Sequence, residues 1–367
     1  MNGRLFSLKR LWYKPVMHLN KRLPRALVPA FLALLLASCS RASSRDPISR
    51  TEMNLLGTVC TITVYGGKPS DLEDAFTRIR DIDDRMTVTR ADSEVVRVNE
   101  AAGVGSAKVS ADTYSVIKQG IAFSLLGDGV FDITVGPLVK LWGIGTEDAR
   151  VPGTAEISRA LSRMDYRAVH LMDAGSEVFL AKPGMALDLG AIAKGYAADE
   201  AARLLESRGV SAALVNLGGN IVAAGRKPDG SPWRIGIQDP EKPRGDSIGY
   251  IETAPVSVVT SGIYERYFVS DGVRYHHIFN TRTGFPVQNG LLSVSIVTGS
   301  SMIADGYSTL AFSLGLERGR AIVERSPQDV GAAVGAIFIT ENRDVYVTPG
   351  LRAGFRLTDK TFSLKGW

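Results

Sequence analysis

The chain has 367 residues, is 45% hydrophobic and 22% charged, and holds 38 Gly and 16 Pro; that balance excludes a collagen-like or disulfide-dense scaffold and suits one large domain or two packed ones. The formal net charge of +5 is misleading, because seven of the 43 basic residues and none of the 38 acidic ones fall within residues 1–39. The remainder is nearly neutral, with 36 basic residues against 38 acidic ones, so nothing in the body favours nucleic acid.

Residues 1–25 form a long basic region, and 26–37 a twelve-residue apolar run broken only by Pro29. That is short of the ~20 residues needed to span a bilayer and reads as the apolar part of a secretory signal. The small residues of Leu36-Ala37-Ser38 before Cys39 resemble the bacterial lipobox, in which the Cys thiol is lipidated and becomes the mature N-terminus. The expectation is a lipoprotein signal peptide over 1–38 and an acylated Cys39. A polar tether then runs over 39–50 and a folded domain over 51–367, held on the periplasmic side of the inner membrane. An ordinary cleaved signal, or an uncleaved anchor with Cys39 incidental, remains open. Only Cys39 and Cys60 occur, so acylation of one leaves the other without an intramolecular partner.

Within the body, alternating β-rich residues predict a strand over 59–65. Ser70-Asp71 offers an N-cap for an amphipathic helix through Leu72, Ala75, Phe76, Ile79, Ile82 and Met86. Further helices are predicted over 113–126, stopped by Gly127, over 157–164, over 191–207, stopped by Gly209, and over 301–314. Strands are predicted over 178–180, 186–187, 213–215, 233–237, 249–251, 256–259, 264–269, 275–279 and 292–297. A hairpin joins 336–339 to 345–347. Strands come in consecutive groups rather than in regular alternation with helices, which favours an α+β fold with mixed sheets over a doubly wound one.

Motifs for a phosphate-binding P-loop, a zinc protease helix, a Cys-x-x-Cys pair and a dinucleotide-binding turn are absent. The G-x-S-x-G match at Gly245–Gly249 follows a charged loop and precedes β-like sequence, so it reads as a loop and not as a nucleophile elbow. Lys194 sits in the first turns of a helix, where free N–H groups favour anions; a Lys there suits a phosphate, or is a surface Lys on an amphipathic helix. Asn216-Leu-Gly-Gly-Asn220 allows close backbone approach, or is a tight turn. Phe131 to Trp142 is an apolar segment with one acid, Asp132, suited equally to a ligand wall or to the core. His276 and His277 are adjacent in β-like sequence, so they face opposite ways and do not chelate together. Asp305 and Thr309 share a helix face; a carboxylate and a hydroxyl suit Mg²⁺, or simply hydrogen-bond within the helix.

Taken together these segments resemble the bacterial flavin transferases of the ApbE family. The resemblance runs from about residue 53 to 350, in order: Leu56-Gly57-Thr58, Asp92-Ser93-Glu94 before Asn99, FDITVGPLVKLWGIG, LDLGAIAKGYAAD, VNLGGN, TSG, HIFNTRTGFPV and ADGYST. It implies an α+β fold with an FAD cleft, and Mg²⁺-dependent transfer of the FMN half of FAD to a Thr or Ser hydroxyl of a target protein, with AMP leaving. Position by position it implies Asp305, Thr309 and the Ala191 carbonyl as metal ligands. Leu56, Thr89, Val130, Phe131, Asp132, Asp188, Lys194 and Phe279 become FAD contacts, and His277 the mechanistic histidine. Leu56 stands where the family usually has Met, and Thr89 where it usually has an aromatic. The implied acceptors are subunits of membrane redox complexes, of the Na⁺-translocating quinone reductase or Rnf type. A hydrolase splitting FAD to FMN and AMP, and a non-catalytic FAD-binding lipoprotein, are the alternatives.

Overall fold

A computed structural model describes residues 46–326, 328 and 334–367. The expected signal peptide, Cys39 and most of the expected tether lie outside the described residues. The frame is a nine-stranded sheet whose spatial order follows the chain: Ile48–Leu55, Thr58–Tyr65, Ala212–Leu217, Asn220–Gly225, Val256–Gly262, Leu291–Thr298, Gly335–Thr340, Asp344–Val347 and Ser363–Lys365. Neighbours are antiparallel except for the last pair.

Strand alternation assigns the two faces. Val259 and Phe338 join the core beneath the helices, while their neighbours Val258 and Ile337 join a second core on the opposite face. The first face is covered by the helices Pro69–Met86, Ala193–Ser207 and Ser301–Leu314. The second is covered by a small sheet of Trp233–Gln238, Ser247–Thr253 and Phe355–Leu357. Leu291–Thr298, between both layers, is buried at every position, as a strand covered on both faces must be. The α+β reading stands.

Several local expectations are corrected. The first strand begins at Ile48 and pairs with Val64, so residues 48–50 belong to the sheet and not to a tether. The first helix starts at Pro69 after Lys68, whose N–H donates to Asp71 Oδ2 at 2.7 Å; Ser70 is already inside it. Residues 186–187 are not a strand, and 264–266 form a turn before the strand Tyr267–Ser270. The strand predicted over 275–279 is Val273–His276. The helices Glu94–Glu100 and Gly136–Trp142 were not predicted; at seven residues each they are too short to show a helical period.

One glycine sets the crossing of two helices. A Cβ on Gly195 would lie 2.3 Å from the Ser301 carbonyl oxygen, so only Gly lets the helix Ala193–Ser207 cross so close to the start of Ser301–Leu314. One turn further on, the Asp199 carboxylate accepts from Ser301 N at 2.7 Å and Met302 N at 3.0 Å, capping that second helix. Gly195→Ala should therefore force the helices apart and cost about 1–3 kcal/mol. Thermal melting several degrees below wild type is the expected reading; an unchanged melting temperature would show that the crossing tolerates a methyl group.

Candidate active site

The site lies where strand ends and helix starts meet. Its walls come from Gly57 and Thr58 at the turn into the second strand, Gly218 at the next turn, and Thr260, Ser261 and Gly262 at the end of Val256–Gly262. The segment 190–194 and the helix Ser301–Leu314 close one side, and 130–139 with 277–281 close another. The cleft holds about 250 Å³.

Sequence-distant residues converge here: Val130, Phe131, Asp132, Asp188, Ala191, Lys194, His277, Phe279, Asp305 and Thr309 all line the cleft. Leu56 and Thr89 are not among the lining residues. Leu56 precedes the lining Gly57, and its N–H donates to Asp83 Oδ2 at 3.0 Å. Thr89 is exposed and hydrogen-bonded to Thr87.

Asp305 forms the polar corner. It is 3% exposed, its Oδ2 accepts from Gly195 N at 2.9 Å, and Lys194 Nζ stands 4.0 Å from its Oδ1. Burial raises its pKa, against the opposing pull of Lys194, the Gly195 N–H and Asn220. The Asn220 amide favours the ionised carboxylate, although its buried Nδ2 completes no hydrogen bond. Thr309 Oγ1 lies 3.2 Å from Ser261 Oγ. Asp305, Thr309 and the Ala191 backbone line the same cleft and give a hard oxygen set with one carboxylate, with Ser261 Oγ holding Thr309 Oγ1. That set fits Mg²⁺, which keeps several waters and takes phosphate oxygens. No cluster of three or more His, Cys, Asp or Glu suited to a metal occurs among the described residues, so the set is not a closed protein cage.

His277 follows the strand Val273–His276 at the cleft wall. Its Nδ1 lies 3.2 Å from the Arg266 carbonyl oxygen. A carbonyl only accepts, so the neutral ring carries its proton on Nδ1 and leaves the Nε2 lone pair free. Burial, then the charges of Arg266 and Lys194, push its pKa down to about 3. His276 points the other way: it is buried, its Nε2 bonds the Val287 carbonyl oxygen at 2.7 Å, and its ring meets Phe312 edge-on.

The remaining walls supply shape. Asp132 Oδ1 accepts from Thr134 N and Oγ1, both at 2.7 Å, while burial raises its pKa. Asp188 Oδ1 accepts from Gly190 N at 2.8 Å, and burial raises its pKa as well. Phe279 packs on Trp142, and Phe131 on Phe123. Sequence reasoning missed Arg244 and Arg266, which line the cleft. Each sits in a loop or turn whose sequence has no chemical signature, and only folding carries it to the cleft wall.

A model of the ApbE family matches residues 56–334.

The chain belongs to the ApbE family.

A relative from Klebsiella pneumoniae, an FAD:protein FMN transferase, is 38% identical over 310 residues, covering 84% of this chain and 95% of its own. An FAD:protein FMN transferase from Treponema pallidum is 36% identical over 346 residues, 89% of this chain and 94% of its own. The crystal structure of the ApbE protein from Thermotoga maritima superposes with a TM-score of 0.78 at 34% identity, over 85% of this chain and 100% of the other. The flavin transferase ApbE from Vibrio cholerae gives 0.70 at 29% identity, over 86% and 98%.

Proposed function

We propose that this cleft is the site of an FAD:protein FMN transferase. FAD would place its pyrophosphate at the Lys194–Asp305–Thr309 corner. The observation that carries this reading is the meeting of that cationic, hard-oxygen corner with a neutral imidazole whose Nε2 is free, all on one cleft.

In the reaction, the hydroxyl oxygen of a target Thr or Ser bonds to the FMN phosphorus. The bond from that phosphorus to the bridging oxygen breaks, and AMP leaves with the oxygen. His277 Nε2 accepts the hydroxyl proton. Lys194 offsets charge on the phosphates, and Phe131 and Phe279 give apolar wall to the ligand. Mg²⁺ held by Asp305, Thr309 and the Ala191 carbonyl would supply Lewis-acid stabilisation of phosphoryl charge. The bound diphosphate brings negative charge beside His277 and so raises its basicity from the low value of the free cleft.

The test is incubation with FAD, Mg²⁺ and the soluble domain of a redox-complex subunit, reading in-gel flavin fluorescence together with AMP release. Fluorescent acceptor with one AMP per flavin supports transfer. AMP without labelled acceptor would leave the FAD-splitting hydrolase instead.

For the address, we propose a lipid anchor at Cys39 on the periplasmic face of the inner membrane, supported by the lipobox-like Leu36-Ala37-Ser38-Cys39. Acceptors would then be membrane redox subunits exposed on that face. Cys39→Ser should move the protein out of the membrane fraction, or hold it there with its signal uncleaved, and should abolish metabolic palmitate labelling. Unchanged labelling would refute the assignment.

A further inference from the structure

Four of the eleven exposed large hydrophobic residues among the described part of the chain lie on or against one hairpin at the cleft wall: Tyr267 at 44% and Val269 at 59% exposure on one face, Val273 at 39% on the other, and Phe285 at 38% against Trp142 under that second face. Three belong to one hairpin, Tyr267–Ser270 paired with Val273–His276. Single exposed apolar residues need no explanation, but Tyr267 and Val269 side by side on one hairpin face next to a reactive site do.

The hairpin is a sheet of two strands, so among the described residues each strand keeps one edge without a strand partner. One face is anchored: Phe268 and Tyr275 stack at 5.3 Å and pack on Trp142. The other face presents Tyr267 and Val269, with Arg274 over the Tyr267 ring at 4.5 Å. At its base, the His277 N–H donates to the Arg266 carbonyl at 3.2 Å. The same carbonyl holds His277 Nδ1. The hairpin thus rises directly from the two cleft residues that fix the general base.

We propose that this hairpin docks the acceptor protein, taking the extended segment that carries the target hydroxyl as an added strand. The inference rests on the transfer reading above. Continuity with the cleft commits the occupant: the target hydroxyl must reach His277 Nε2, and a strand laid along the hairpin edge runs to that residue. Backbone pairing supplies affinity, and alternate side chains supply specificity against Tyr267 and Val269. Arg266 and Arg274 have no ion-pair partner among the described residues, so the complementary segment carries a carboxylate near its hydroxyl.

The test uses the whole protein, FAD, Mg²⁺ and the soluble domain of a redox-complex subunit as acceptor. Val269→Glu places a charge on the exposed face, and Arg274→Glu reverses the cationic edge. Both should raise the acceptor KM at least tenfold while leaving FAD affinity and melting temperature at wild-type values. An unchanged acceptor KM in both variants would overturn the docking site. A parallel loss of FAD affinity would also overturn it, by showing that the hairpin shapes the cleft instead. A wild-type protein that labels no acceptor sinks the transfer reading itself, and this inference with it.

Discussion

Asp305→Ala should abolish FMN transfer at ordinary Mg²⁺, with a loss on the order of 10²–10³ or more, as for removal of a principal charge-stabilising group. Asp305 is the only carboxylate in the proposed oxygen set, and Thr309 and the Ala191 carbonyl bring no charge. The fold should survive, because burial already disfavours the ionised Asp305; the alanine relieves that cost while freeing the Gly195 N–H. Melting temperature and FAD affinity, read beside turnover, separate the two effects. Asp305→Asn keeps the shape and the Gly195 bond but not the charge, and should be nearly as inactive. Full activity of either variant in millimolar Mg²⁺ would show that the metal corner is misplaced.

His277→Ala should slow transfer by about 10²–10⁴ in kcat, the usual span for a lost general base, with little change in FAD binding. His276→Ala should do something different. It removes the Nε2 bond to Val287 and the edge contact with Phe312, so it should lower melting temperature more than kcat. Equal rates in two folded variants would rule out His277 as the base.

The same residue makes a pH prediction. Its native pKa of about 3 lies below the ordinary 6.5, so the folded state prefers the neutral ring. That contribution to stability is complete above pH 6.5 and is lost as pH falls towards 3. His276 is shifted in the same direction by burial. Wild type should therefore destabilise on acidification below pH 6.5, and His277→Ala should do so less steeply. Thermal melts from pH 7.5 to 4.5 check this; parallel curves would show that His277 is free to protonate in the folded protein.

How much of this was legible beforehand depends on the range of the interaction. The helix through Leu72, Phe76 and Ile79 was readable because its apolar spacing is local, and every one of those positions is buried. The α+β class was readable because strands cluster along the chain. The segments around Lys194, Asp305 and His277 were legible as carriers of ammonium, carboxylate, hydroxyl and imidazole, but each taken alone left a ligand role and a structural role open, and only their order along the chain pointed to a family. Period-two logic separated His276 from His277, and it held although the strand ends at His276.

Only the tertiary structure decided the rest. The strand Leu291–Thr298 hides its face preference because layers cover it on both sides. The pairing of Lys194 with Asp305 spans more than a hundred positions and depends on Gly195 letting two helix backbones nearly touch. Asp199 sets the second helix by capping it across that same crossing. The His277 tautomer depends on a carbonyl from Arg266, across a hairpin. Sequence by itself determined which groups were available and which local elements carried them. The fold decided which groups share a cleft, because close approach and hydrogen-bond partners are properties of packed surfaces and leave no period in the chain.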